Sequence, residues 1–98
     1  MDLWLRNGRL HLTAEVYERQ LHSCAAVALL ARERDWLLFP LLSGAGGLTV
    51  KLRNPRGDRV IESQEFFRAQ GIEDSIQARP LRLLPAPEQA AFVISPAD

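Results

Sequence analysis

The sequence predicts a mainly β (α+β) fold: a small barrel of about eight short strands with two short helices, built as two pseudo-symmetric ββαββ halves. Three observations carry this. Short apolar runs are punctuated by turn signals at Asn7-Gly8, Arg32 to Asp35, "PRGD" and "PAPEQ". Only two segments carry helix signals, "AEVYERQLH" after Thr13 and "QEFFRAQ" after Ser63. The order strand, turn, strand, helix, strand, turn, strand occurs twice. A four-strand unit with one helix is too small to bury its own apolar face, whereas a second unit closes the sheet and removes its free edges.

The elements follow in chain order. "LWLRNGRLHL" reads as two strands around Asn7-Gly8, the commonest signal for a type I′ hairpin. Thr13 stands at an N-cap position, and Glu15 and Glu18 lie in early turns that favour acidic residues. Val16, Tyr17 and Leu21 form a narrow apolar face. "CAAVALLA" and "WLLFPLL", separated by "RERD", read as a buried hairpin, with Pro40 confined to an edge or a bulge. "SGAGG", Ser43 to Gly47, is the clearest break and is expected to link halves 1–44 and 47–96 of a single domain, 1–98. "LTVKLRN" and "RVIE" then form a hairpin across "PRGD". Ser63 is expected to cap the second helix, and Gly71 stands where a helix ends in a left-handed residue. "IEDSIQA" connects to two further strands, "RPLRLL" and "AAFVIS", around the proline-bearing turn.

Composition narrows the function. The chain has 98 residues, 47% hydrophobic and 24% charged, enough for one modest core. Its 12 basic and 12 acidic residues cancel, which argues against a non-specific polyanion binder. Lys51 is the only lysine; arginine suits bidentate recognition, but biased base composition would produce the same skew. With Cys24 alone, no internal disulfide can form, and a reducing compartment fits. "MDLWLRNGRL" has no signal-peptide core and no apolar run approaches membrane-spanning length, so a soluble, cytoplasmic protein without membrane association is expected.

The halves also match in part residue by residue. Leu5-Arg6-Asn7 matches Leu52-Arg53-Asn54; after three extra residues, Arg9-Leu10 matches Arg59-Val60. Thr13 then falls on Ser63, Glu15 on Glu65, Val16-Tyr17 on Phe66-Phe67 and Gln20 on Gln70. Leu29-Leu30 matches Leu83-Leu84, and Phe39 lies close to Phe92. Chance is the alternative, because hairpin-plus-helix segments share a few residues in any case.

"RVIESQEFFRAQGI" resembles the strand–helix signature of the AbrB-type swapped-hairpin fold and, more loosely, of its double-psi barrel relatives. The resemblance rests on Arg59, Val60, Ile61, Ser63, Glu65, Phe66, Ala69, Gly71 and Ile72. In the first half it rests on Gly8, Arg9, Leu10, Leu12, Thr13, Glu15 and Val16. Asp58 separates Gly57 from Arg59, Thr13 and Ser63 stand where proline is usual, and the first half lacks the closing Gly-Ile. The resemblance implies one chain holding both copies of a unit that such proteins supply as a dimer. It also implies contact with duplex DNA through arginines on outer strands and turns: Arg6, Arg9, Arg53, Arg56 and Arg59, with Lys51 beside them. A solvated hairpin edge guarded by charge is the plainer account of the same arginines.

Other sites are weak. His22 and Cys24 lack an orienting partner, and Cys24 opens an apolar run, so a buried inert thiol is expected. Two histidines and one cysteine make no metal-ligand spacing, so neither a metal nor another cofactor is expected. "RGD" is read as a turn. Trp4 and Trp36 are expected to fill the core or cover the barrel's ends, although an exposed tryptophan would mark a binding surface. Trp36 and Phe67 are the aromatic candidates for a protein-partner surface. No acid/base or nucleophile constellation forms, so the chain is expected to be a non-catalytic binding module rather than an enzyme. Its partner is expected to be duplex DNA through the arginines or, alternatively, a protein, with the chain an adaptor or accessory subunit, as a monomer or a homodimer.

Overall fold

A computed structural model describes residues 2–22, 24–42 and 46–97. The first hairpin joins β1 (Leu3–Arg6) to β2 (Arg9–Leu12). Asn7 and Gly8 turn it with φ of 53° and 73°, the positive values a type I′ turn needs. Thr13 caps α1 (Ala14–Val16), its hydroxyl accepting from the Val16 amide at 3.2 Å. The helix widens at once into a π-helical turn, Tyr17–Leu21, and ends at His22 in the left-handed region. β3 (Ala26–Ala31) and β4 (Trp36–Leu41) form the second hairpin. Of the expected linker, Ser43, Gly44 and Ala45 lie outside the described residues. β5 (Leu48–Leu52) and β6 (Arg59–Ile61) follow, then α2 (Gln64–Ala69). Gly71, at φ 79°, ends α2, and the Ile72 amide reaches back to the Phe67 carbonyl at 3.0 Å. β7 (Arg79–Ala86), a 3₁₀ turn at Pro87–Gln89 and β8 (Ala91–Pro96) complete the chain.

The eight strands close into an antiparallel barrel in the order β1-β2-β6-β5-β3-β4-β8-β7. Exchanging β1 to β4 for β5 to β8 leaves every neighbour unchanged, so the two halves occupy equivalent places in the barrel. The residue equivalence keeps the match of Leu5 to Leu52 but differs from the sequence match at Arg9-Leu10. The pairs Leu3↔Leu12 and Leu5↔Leu10 correspond to Val50↔Ile61 and Leu52↔Arg59. Leu10 therefore corresponds to Arg59 and not to Val60. Facing explains the difference: Leu10 and Ile61 are paired and buried, whereas Val60 pairs with His11 on the outside. The second turn is longer by two residues, not three: Asn7-Gly8 between Arg6 and Arg9 becomes Asn54 to Gly57 between Arg53 and Asp58.

Period-two alternation fills the interior with Leu3, Leu5, Leu10, Leu12, Val27 and Leu38 from the first half and Val50, Ile61, Leu81, Leu83 and Ile94 from the second. β2 and β6 are antiparallel, so the helices that follow them leave at opposite ends and plug them. Tyr17 and Leu21 close one end, and the Tyr17 hydroxyl donates to the Cys24 carbonyl at 2.7 Å. Phe67 closes the other, fully buried, with Trp36 and Phe66 each edge-on to its ring at 5.1 Å. Burying such a ring contributes roughly 1.5–3 kcal/mol.

Two local expectations change. Ser63 precedes α2, but its hydroxyl makes no cap bond. Buried among carbonyls, it donates to Gly8 at 2.7 Å and to Ile61 at 3.3 Å. β7 also runs on through Pro85 and Ala86, where a turn is expected. Pro85 pairs with Phe92 on one side only, since the β1 ladder stops at Leu81, so its missing amide breaks no ladder bond there. Pro40 is tolerated similarly: it pairs with Val27, while the β4–β8 ladder stops at Leu38. No helix among the described residues is long and apolar enough to cross a membrane.

Candidate functional site

The barrel has two unlike outer faces. Strands β1, β2, β6 and β5 carry the first. The two-residue turn sets Arg6 opposite Arg9 and Trp4 opposite His11. Across β6, Val60 and then Lys51 continue the Trp4–His11 row. Alternation puts Glu62 and Arg53 on this same side.

The five candidate arginines separate here. Arg6 and Arg53 are exposed and form no ion pair among the described residues. Arg9 shares the face but is engaged: its Nε donates to both Glu62 oxygens, at 2.7 and 2.9 Å. That pairing holds the Glu62 carboxyl below its usual range. Arg56 is on the turn, 3.2 Å from Asp58. Arg59 faces the other side of β6. Its guanidinium carbon lies 4.4 Å from the Tyr17 ring centroid, and its Nε donates to the Gly57 carbonyl at 3.2 Å. The structure thus brings Arg6, Arg9 and Arg53 to one face and gives Arg56 and Arg59 local structural partners.

Asp58 explains the "RGD" tripeptide as a clasp. Its Oδ1 accepts from the Ala14 amide at 2.9 Å, capping α1 from the other half of the chain. Its Oδ2 accepts from Asn54 at 2.9 Å. Donation from Asn54 and then from the Ala14 amide keeps this carboxyl below the usual range.

Trp4, Arg6, His11, Arg53 and Ala78 line a depression of about 210 Å³. Trp4 is therefore half-buried on the outside, not a core or barrel-end residue. Burial, followed by Arg53, Arg6 and Arg9, lowers the His11 pKa below its ordinary value. Its Nδ1 is buried without a hydrogen-bond partner. The sequence holds the signal for this pairing: a two-residue turn at Asn7-Gly8 sets Trp4 across from His11. A larger groove, about 300 Å³, runs between the first turn and the 72–78 connector, with Glu73 and Arg79 as its charged lining.

β3, β4, β8 and β7 carry the other face, and it is apolar. Leu30 pairs with Leu37, Leu37 with Val93, and Val93 with Leu84, forming one row across four strands on the outer side. Leu30 is 53% and Leu84 44% exposed, with Leu37 buried between its neighbours. Sequence reading takes "CAAVALLA" and "WLLFPLL" as buried runs, but alternate residues face outward. The aromatic partner candidates do not join this face: Phe67 is fully buried, and Trp36 is half-buried against it. Both are held by the need to plug an open barrel end.

Cys24 is buried, and burial pushes its thiol pKa up; His22 is exposed. No cluster of His, Cys, Asp and Glu able to hold a metal occurs among the described residues. In comparisons with known proteins, the chain matches no family model, no curated protein and no solved structure.

Proposed function

We propose that the chain is a non-catalytic binding module that docks a protein partner through the outer face of β3, β4, β8 and β7, as an adaptor or accessory subunit. The observation that supports this reading is the row Leu30, Leu37, Val93, Leu84. An antiparallel sheet with one solvated face ordinarily alternates apolar and polar residues, and contiguous exposed apolar surface marks interaction sites. Both exposed leucines point away from the core, so Leu30→Glu with Leu84→Glu is expected to leave the melting temperature within a few degrees. The same double variant is expected to abolish co-purification of a specific partner, or self-association if the partner is a second copy. A wild-type chain that stays monomeric and retains no partner would end this reading.

A second reading, duplex DNA on the opposite face, is favoured by Arg6, Arg9, Lys51 and Arg53 sharing one side of the barrel. Arg53→Ala is expected to weaken a shift on duplex DNA, with affinity falling steeply as salt rises. No binding at low salt would remove it. An AbrB-type relationship and duplication of one ββαββ unit belong to this proposal. The strand order agrees with duplication, as do the matches of Leu5 to Leu52, Leu29-Leu30 to Leu83-Leu84 and Thr13 to Ser63; the match of Leu10 to Val60 is displaced by one residue and does not add to it.

A further inference from the structure

We propose that the depression lined by Trp4, Arg6, His11, Arg53 and Ala78 is a binding site for a small flat organic anion: a heteroaromatic ring carrying a phosphate, as in a nucleotide. The inference rests on neither docking reading.

Arg6 lies at the end of β1, and Arg53 just beyond the opposite end of the same four-strand face. Both nevertheless reach one depression. Ion pairs occupy Arg9, Arg19, Arg32, Arg56 and Arg68, but neither of these two. Two guanidinium groups around one hollow suit a phosphate, whose oxygens accept bidentate donation. Glu62, the acid on this face, is held by Arg9 and does not neutralise them.

His11 supplies a further donor. Its Nδ1 is buried and unpaired, whereas Nε2 does not share that condition, so the accessible ring edge is the Nε2 edge. The surrounding guanidinium groups and burial favour the neutral ring, so Nε2–H is available to donate. Trp4, opposite His11 on β1, offers an aromatic surface on which a base stacks, an interaction indifferent to base identity. The volume, about 210 Å³, is below the roughly 300–1,000 Å³ of drug-sized sites, and the open depression seats part of one nucleotide rather than an extended cofactor. The same chemistry comes from a free mononucleotide or from one unstacked nucleotide of a single strand.

The test uses the full chain at low salt, with NMR of the Trp4 indole and His11 ring signals. The probes are adenosine monophosphate, inorganic phosphate and a short oligothymidylate. Adenosine monophosphate is expected to shift both signals, and its affinity to fall about tenfold or more in Arg6→Ala and in Arg53→Ala. Trp4→Ala is expected to weaken the nucleotide about tenfold while leaving inorganic phosphate unaffected. Should Trp4→Ala unfold, Trp4→Phe serves, with nucleotide binding largely kept. A bound phosphate among Arg6, Arg9, Arg53 and Glu62 is expected to raise the His11 pKa. An oligothymidylate that binds much more tightly than the nucleotide assigns the strand; equal binding assigns the free nucleotide. No shift with adenosine monophosphate or with oligothymidylate, whatever inorganic phosphate does, or affinity unchanged in both arginine variants, overturns the proposal. Duplex binding that persists in Trp4→Ala separates this site from the duplex reading.

Discussion

Phe67 is the residue on which one barrel end depends. It is fully buried and meets Trp36 and Phe66 edge-on, so Phe67→Ala leaves a cavity that two neighbouring rings cannot fill. A loss of about 3–5 kcal/mol is expected in urea titration. Four carboxyls bear on acid stability: Asp35, beside Arg32, and Asp74, beside Arg68, are held below their ordinary range, as are Asp58 and Glu62. Asp58 is held below its ordinary 3.8 by Asn54 and the Ala14 amide, and Glu62 below its ordinary 4.5 by Arg9. A depressed carboxyl stabilises above its unfolded pKa, and that contribution is lost as pH falls through the folded value. His11 has the same sign: its neutral form is favoured in the fold, so stability begins to decline as pH falls below 6.5. The melting temperature is thus expected to fall in two steps, a small one below pH 6.5 and a larger one below about pH 4.5. His11→Gln is expected to remove the first, and a profile flat to pH 3 would contradict the carboxyl assignment. Residue identity predicts a buried Cys24 correctly, because an apolar run buries its first member. It does not predict Phe67 in the core, because either member of Phe66-Phe67 fits the inward face of a helix this short.

Among the elements, the β1–β2 and β5–β6 turns each touch the start of the other half's helix. A Cβ on Gly8 would stand 3.0 Å from the Gln64 Cα, and one on Gly57 would stand 3.2 Å from the Ala14 Cβ. Gln64 and Ala14 are the first residues of α2 and α1. Gly8→Ala therefore meets both a left-handed backbone and a clash with main chain. Gly71→Ala meets only the backbone cost of about 1–2 kcal/mol, since open space surrounds it. Thermal melts are expected to rank Gly8→Ala as the more damaging, and the reverse order would refute the contact. The hairpins, both helices and the glycine stop are legible in the sequence because local chemistry determines them. The π-helical turn at Tyr17–Leu21 is not: nothing in its periodicity distinguishes it from α-helix, and tertiary packing of Tyr17 against Arg59 and Cys24 surrounds it.

For the whole molecule, barrel closure follows from the repeated element order, but the order of strands does not. β2 pairs with β6, and β1 with β7, across separations that no local pattern records. The two faces were hidden for the same reason: outwardness in "AVALLA" becomes visible only once the register is known. The candidate site was legible in part, since Arg6 and Arg53 stand out in sequence beside their hairpin turns and both line the depression. His11 was not, because its importance comes from the arginines that the folded sheet brings around it.

The reciprocal clasp also bears on how the barrel assembles. Asp58 caps a helix that begins with Ala14, and Ser63 holds the Gly8 carbonyl, so each half completes the other's secondary structure. Fragments cut between Leu42 and Gly46 are expected to be largely unstructured alone by circular dichroism and to regain the barrel when mixed at equal concentration. A fragment that melts cooperatively by itself would contradict this. Productive folding must then wait for distant chain segments to meet, which places the molecule among slow folders for its size. Its unfolding is expected to be a single event, with no half-barrel state at which it could pause.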